Sequence, residues 1–394
     1  MRAGRGREPQ MDMSAEVAAA IVGRLYAAGL VAWVDGGWGV DALVRRQTRP
    51  HDDLDLVVRL EEVPAVEREL AALGYERAGG GPPMSFESVD PEGRQVDVHP
   101  IAPDGAYLKR DETFWYYALD GLRGRGAIAG RAVDCLTAAA QVIGHADYEL
   151  DEDDLHDLRL LRPPPDVLAA AGAQGELEPL GGGTGRTWRC GGLVFKPVDF
   201  APEVVTWQGE ILGAVRAADV RVAPPRLAGD WIVMPYLEGR HEAGRWLDVI
   251  EAGRRLHAAL PQARPPAVDN AWETGDRVAW GELAYPAVDD LLAALEPVDE
   301  APALIHGDLT GNVLFHDTLP PAVIDFAPYF RPPTYAAAIV VADAVCWEGA
   351  PESLLDAVPR QFLLRALVYR GVTSLEFGGD GRVELDLARR IAAG

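Results

Sequence analysis

Lysine is nearly missing from this chain of 394 residues: of 37 basic residues only Lys109 and Lys196 are lysine. Arginine serves wherever else a cation is wanted, so a remaining lysine is a candidate for chemistry that needs a compact point charge. Positive charge as a whole is scarce, with 61 acidic residues and a formal net charge of −24. That balance argues against a nucleic-acid partner, which needs basic surface. It suits a cationic small molecule, although a solubilising surface explains it equally well. Cysteine is limited to Cys135, Cys190 and Cys346. Their scatter gives no metal-ligand spacing, and their odd number argues for a reduced, cytoplasmic protein. No apolar run reaches the roughly 18 residues that span a bilayer, so no membrane partner is expected. Glu16 and Arg24 interrupt the apolar stretch near the N-terminus, which does not read as a signal peptide.

The length calls for two domains. Arg162-Pro163-Pro164-Pro165 stops a helix, and an Ala/Gly-rich stretch follows to Gln174-Gly175. The expected plan is a disordered tail over 1–12, with Met11 or Met13 as alternative starts, then a domain over 13–162. A linker over 163–176 and a second domain over 177–394 complete it.

Residues 33–58 carry the densest chemical signal. An apolar run, Val31 to Val34, breaks at Gly36-Gly37, and Asp53-Leu54-Asp55-Leu56-Val57-Val58 alternates as a strand does. Alternation puts Asp53 and Asp55 on one face and Leu54 and Leu56 in a core. Two neighbouring carboxylates with no base between them repel unless a divalent cation, here Mg2+, lies between them. The glycine pair lets backbone N–H groups approach a phosphate, and the helix predicted from Trp38 to Arg45 points its N-terminus there. A phosphate cradle beside metal-binding carboxylates equips a site for nucleotidyl or phosphoryl transfer from ATP.

Gly36-Gly37-Trp38-Gly39-Val40-Asp41, followed by Thr48-Arg49-Pro50-His51-Asp52-Asp53-Leu54-Asp55, resembles the signature of aminoglycoside and lincosamide nucleotidyltransferases. These belong to the polymerase-β-like superfamily, and the similarity runs from about Ala18 to Leu161. The resemblance implies a third carboxylate on a neighbouring strand that completes the metal site and takes the proton of the attacking hydroxyl. Asp97 matches it, in the hairpin Phe86–Val89 and Gln95–Ile101 that turns at Asp90-Pro91-Glu92-Gly93. Helices are expected over 14–28 with Ser14 as N-cap, and over 62–73, 137–146 and 152–161. The aromatics of Thr113-Phe114-Trp115-Tyr116-Tyr117 are expected in a core. The acidic cluster Glu149, Asp151, Glu152, Asp153, Asp154 suits a helix start, and capture of an amino-sugar cation is the alternative.

In the second half, the Gly-rich run Leu180 to Gly185, including Gly183 and Gly185, leads through a hairpin to Leu193-Val194-Phe195-Lys196. It looks like the nucleotide-covering loop and phosphate-binding lysine of a kinase fold. Glu210, or Glu203, on a helix over 203–215 is the expected partner of Lys196. The strand Trp231 to Pro235 and its connector to Gly239 resemble the hinge that binds adenine through backbone groups. His306-Gly307-Asp308-Leu309-Thr310-Gly311-Asn312, then Val323-Ile324-Asp325-Phe326, resembles the aminoglycoside phosphotransferase and choline kinase group. The resemblance implies Asn312 and Asp325 on Mg2+ and Asp308 on the acceptor hydroxyl. The family has one more residue between the catalytic Asp and the Asn than the three here, a shift of up to about 3 Å that Gly311 has to absorb. Asp343 is expected to support the catalytic loop.

The expected fold is α+β, a polymerase-β-like mixed sheet with helices followed by a bilobal protein-kinase-like domain. Three functions fit. Both halves act on a small hydroxyl-bearing acceptor, cationic or sugar-like, by AMP transfer and phosphoryl transfer. Alternatively, the kinase-like half only binds a nucleotide or ligand, or the chain is a sensor or toxin–antitoxin component with no drug substrate.

Overall fold

The computed structural model describes residues 12–108, 114–145, 150–180, 186–198 and 201–393. Gly183 and Gly185, Lys109, Glu149 and the tail up to residue 11 lie outside the described residues. The chain divides into two units, residues 1–190 with 195–197, and residues 191–194 with 198–394.

In the first unit, Ser14 caps α1 (Ala15–Ala27) by accepting from the Val17 N–H, and Ile21, Val22 and Leu25 make its buried stripe. Then come β1 (Ala32–Asp35), α2 (Gly36–Val44), β2 (Asp53–Arg59), α3 (Val63–Ala72), β3 (Glu76–Gly80), β4 (Phe86–Val89) and β5 (Gln95–Ile101). The short β6 (Ala106–Leu108) and β7 (Phe114–Tyr116) pair with each other. Next are β8 (Gly124–Ile128), β9 (Arg131–Cys135), α4 (Ala138–Gly144), α5 (Glu152–Leu161), α6 (Pro165–Ala171), β10 (Leu177–Leu180) and β11 (Thr187–Cys190). Seven strands form one mixed sheet in the order β3-β4-β5-β2-β1-β9-β8, in which β2–β5 and β1–β9 are parallel. Leu54, Leu56, Val96 and Val98 are fully buried on one face, which sends Asp53, Asp55 and Asp97 to the other.

The proline run does end α5 at Arg162, but Pro165 at once starts α6, where its missing N–H costs nothing. The stretch expected as a bare linker is therefore partly helical. Asp151 caps α5 in a reciprocal capping box with Asp154, so the acidic cluster there serves the helix start.

Strand β12 (Leu193–Pro197) is the segment through which the division runs. The second unit continues with α7 (Pro202–Gly213), β13 (Arg221–Val222), β14 (Arg226–Ala228), β15 (Trp231–Pro235), α8 (Trp246–Ala259), α9 (Ala271–Ala279), α10 (Asp289–Leu292) and β16 (Ala303–His306). It closes with β17 (Val313–Leu314), β18 (Ala322–Val323), β19 (Pro328–Arg331), α11 (Pro333–Trp347), α12 (Arg360–Glu376) and α13 (Arg382–Ala393). Its core joins α8, α11 and α12 around Leu256, Ile339, Val340, Leu367 and Val368. Both α11 and α12 are buried almost all round, as the apolar run Ala336 to Val345 requires of a central helix.

Candidate active sites

Strand register builds the first site. Asp55 stands opposite Asp97 on β5 and opposite Asp35 on β1, while Asp97 stands opposite Glu87 on β4. Four adjacent strands thus carry the carboxylates Glu87, Asp97, Asp55 and Asp35 in one row across the sheet. Directly opposed residues lie about 4.5–5.5 Å apart, and like charges at that spacing destabilise each other. Burial and the charge of Asp55 push the Asp97 carboxyl up from 3.8 to about 6. The same two causes raise Asp35, which is half-buried. Asp53 sits two residues before Asp55 on the same face, opposite Gln95.

Neighbours fix these carboxylates. Gln95 Nε2 donates to Asp97 Oδ1 at 2.7 Å, and His99 Nε2 lies 3.1 Å from Asp55 Oδ1. The Tyr117 hydroxyl donates to Asp35 Oδ2 at 3.0 Å, so this member of the aromatic run serves the site; the side chains of residues 114–116 are not described. Asp35, His99 and Tyr117 are functional candidates that sequence reasoning missed. Asp35 was visible as the last residue of the strand before the glycine pair, yet only the pairing of β1 with β2 sets it beside Asp55.

The glycines behave unequally. Gly36 has φ +59°, and a Cβ there would collide with Asp55 Oδ2, so no other residue lets the β1–α2 corner approach the carboxylate. Its N–H is already taken by Asp35 Oδ1 at 2.8 Å, because Asp35 is the N-cap of α2. Gly36 is thus a corner and not a free phosphate donor. Gly37 follows in the first turn of α2, where a Cβ would strike His51 and Arg49. The Thr48-to-His51 segment has a structural task. Buried Asp41 accepts from Thr48 Oγ1 at 2.5 Å and pairs with His51 Nε2 at 2.5 Å, and Arg49 bonds Asp157 on α5 at 2.8 Å. That buckle fixes the loop delivering β2.

Among the described residues, no three His, Cys, Asp or Glu side chains converge closely enough to enclose an ion, so the expected set Asp53, Asp55 and Asp97 is not gathered as three ligands. Mutual repulsion keeps uncompensated carboxylates apart, and Gln95 and His99 hold two of them. The donor chemistry nevertheless suits Mg2+. All the donors are hard oxygens, Asp55 and Asp97 face each other, and Mg2+ binds through one or two carboxylates with the rest of its shell from phosphates and water.

The second site lies in the catalytic-type loop after β16. His306 is fully buried, with Nε2 facing the Ile324 carbonyl at 3.1 Å and Nδ1 accepting from the Asp308 N–H at 3.1 Å. Burial lowers its pKa, and His257, which accepts the His306 N–H at 3.0 Å, is pushed down to about 3 by the same cause. Both are neutral structural pins. Buried Leu309 packs against Gly253 of α8 and anchors the loop. The tightening closes by a turn in which the Asn312 N–H donates to the Leu309 carbonyl at 3.0 Å, with Gly311 at φ +76°. Asn312 Nδ2 donates to the Asp308 carbonyl at 2.7 Å and to Asp308 Oδ2 at 3.2 Å, which leaves the Asn312 oxygen for a cation. The β17–β18 hairpin pairs Val313 with Val323, and the Ile324 N–H donates to Asn312 O at 3.0 Å, so Asp325 follows one residue beyond Asn312's partner. Asp325 adopts φ +50°, a strained conformation for a non-glycine residue.

Other expected residues lie on α7, on β12 and in the connector after β15. Glu210 lies on the exposed face of α7, and among the described residues no ion pair reaches its carboxylate, because α7 buries Val204, Val205, Gln208, Ile211 and Leu212 instead. Gln208 is the α7 residue that turns inward, donating to the Phe326 carbonyl beside Asp325 at 3.0 Å. Lys196 is half-buried on β12. In the hinge-like connector, the Tyr236 N–H is taken by the Gly192 carbonyl at 2.8 Å and the Glu238 carbonyl by Arg221 at 2.7 Å.

Comparison with known proteins agrees with both halves. Residues 17–161 match the family model for aminoglycoside-2''-adenylyltransferase, and residues 176–359 match that for the phosphotransferase enzyme family. A lincosamide resistance protein of Staphylococcus haemolyticus is 29% identical over 133 residues, which are 33% of this chain and 83% of that protein. Among solved structures, the lincomycin-bound lincosamide antibiotic adenylyltransferase LnuA shares 25% identity. That alignment covers 38% of this chain and 97% of LnuA at a TM-score of 0.35. The gentamicin complex of the phosphotransferase APH(2'')-IIa shares 14% identity, over 62% of this chain and 97% of that one, at a TM-score of 0.36. The chain is thus an α+β transferase that joins a nucleotidyltransferase domain matching the aminoglycoside-2''-adenylyltransferase model to a domain matching the phosphotransferase enzyme family.

Proposed function

We propose that the first domain transfers AMP from ATP to a hydroxyl of an aminoglycoside- or lincosamide-like acceptor, and that the second transfers the γ-phosphoryl group of ATP to a small-molecule hydroxyl. The observation that carries the first reading is the register that sets Asp55 against Asp97 and Asp35. Asp55 and Asp97, with Asp53 beside them, hold Mg2+, which when bound neutralises charge on the triphosphate. Gly36 shapes the corner, and the backbone at Gly37 faces the phosphates from the start of α2. Asp97 takes the acceptor hydroxyl's proton as that oxygen attacks the α-phosphate and pyrophosphate leaves.

In the second domain Asn312 and Asp325 hold Mg2+, and Asp308 orients the acceptor hydroxyl and receives its proton. The shortened loop between Asp308 and Asn312 supports a second reading, in which this domain binds a nucleotide or ligand without catalysis. The deciding experiment is mass spectrometry of reactions containing ATP, Mg2+ and a panel of amino sugars and lincosamides. A gain of one nucleoside monophosphate, lost in Asp55→Asn, is expected from the first domain, and a gain of one phosphate, lost in Asp308→Asn, from the second. Loss of both products in either single variant would overturn the two-site reading.

A further inference from the structure

Arg370 on α12 lies far along the sequence from the catalytic-type loop, yet it is buried and its Nη2 donates to Asp308 Oδ1 at 2.6 Å. The same Nη2 reaches Asp343 Oδ2 at 2.6 Å, and Nε reaches Asp343 Oδ1 at 2.8 Å. Asp343 on α11 is wholly buried and accepts the guanidinium as a bidentate fork, a geometry that fixes the plane of the arginine. The second N–H of Nη2 lies outside that fork, and it is aimed at Asp308. The other Asp308 oxygen meets the amide of Asn312, so its carboxylate is gripped from both sides. The ring of Trp347 covers the guanidinium at 5.4 Å and is itself tethered by Nε1 to Glu384 at 2.7 Å. An arginine bridging two carboxylates in a buried site costs desolvation that hydrophobic residues would avoid, so its presence calls for a task other than stability.

We propose that Arg370, held in place by Asp343, is the positioning residue of the second domain: it fixes the orientation of the Asp308 carboxylate in a loop too short to fix it alone. The inference rests on the phosphotransferase reading for its kinetic consequence, but not for its geometry. Asp308 is still 41% exposed at its side chain, so the grip leaves it open to an acceptor. A lysine can replace only part of the fork, because one ammonium has no planar pair of donors to keep Asp343 while presenting a third to Asp308.

The test uses the full chain and ATP hydrolysis with water as acceptor, alongside transfer to whichever acceptor gains phosphate. Because Arg370→Met alone would leave Asp343 buried and unpaired, the main variant is Arg370→Met/Asp343→Met, which removes the charges together. Its kcat is expected to fall on the order of 100-fold with the KM for ATP within about twofold, while Arg370→Lys recovers part of the rate. A folded double variant with kcat within about threefold of wild type would overturn the proposal. So would losses in kcat and KM that simply track a lowered melting temperature. Should the wild type hydrolyse or transfer nothing, the phosphotransferase reading fails, and a crystal structure of the double variant decides the positioning. A displaced Asp308 carboxylate supports the inference, and an unmoved one refutes it.

Discussion

The row of carboxylates makes a measurable demand on stability without metal. The Asp97 carboxyl stands at about 6 instead of 3.8, so the fold prefers it protonated. A group raised in the folded state gives stability that is complete below its unfolded value and lost as pH rises through the folded one. Metal-free protein should therefore lose stability between about pH 4 and pH 6, and Asp35 adds to the loss with the same sign. A rise of roughly two pH units is worth about 3 kcal/mol, and solvent screening of the partly exposed carboxylate reduces this to about 1–2 kcal/mol. For a unit of this size that is about 3–6 °C in the melting temperature. Thermal melts in a chelator from pH 4.5 to 7, with and without millimolar Mg2+, read it directly. The transition of the first unit should fall as pH rises, Mg2+ should restore it at pH 7, and Asp97→Asn should flatten the pH dependence. An Asp97→Asn slope equal to wild type, or an indifference to Mg2+, would refute the account of Asp97 as a strained ligand.

Further outcomes follow from the same geometry. Gly36→Ala forces φ +59° on a Cβ and drives it into Asp55, so nucleotidyl transfer should vanish with a destabilisation of about 1–2 kcal/mol or more, measured by urea unfolding. Asp41→Ala strips His51 and Thr48 of their buried partner and should cost about 3 kcal/mol, with nucleotidyl transfer lost in proportion as the loop before β2 slackens. His99→Phe keeps the ring volume but frees Asp55 Oδ1, and should raise the Mg2+ concentration needed for half-maximal nucleotidyl transfer several-fold; an unchanged requirement would remove His99 from the site.

Much of this protein was legible before any coordinate. Local alternation in Asp53-Leu54-Asp55-Leu56 sufficed to put the two aspartates on one face, and the hairpin around Asp90-Pro91-Glu92-Gly93 formed over the expected residues. The turn residues around Gly311 and the β17–β18 hairpin likewise carried Asp325 back toward Asn312. These features depend on neighbours a few residues apart, whose backbone preferences act regardless of the rest of the chain. Glu210 shows the limit of that logic, since helical periodicity marked α7 but did not say which of its faces is covered. Asp35 beside Asp55, Tyr117 upon Asp35, and Arg370 between Asp308 and Asp343 were decided only by tertiary structure. Strand order and helix packing unite residues 20 to 82 positions apart there, and no local pattern encodes which carboxylate a distant donor will meet.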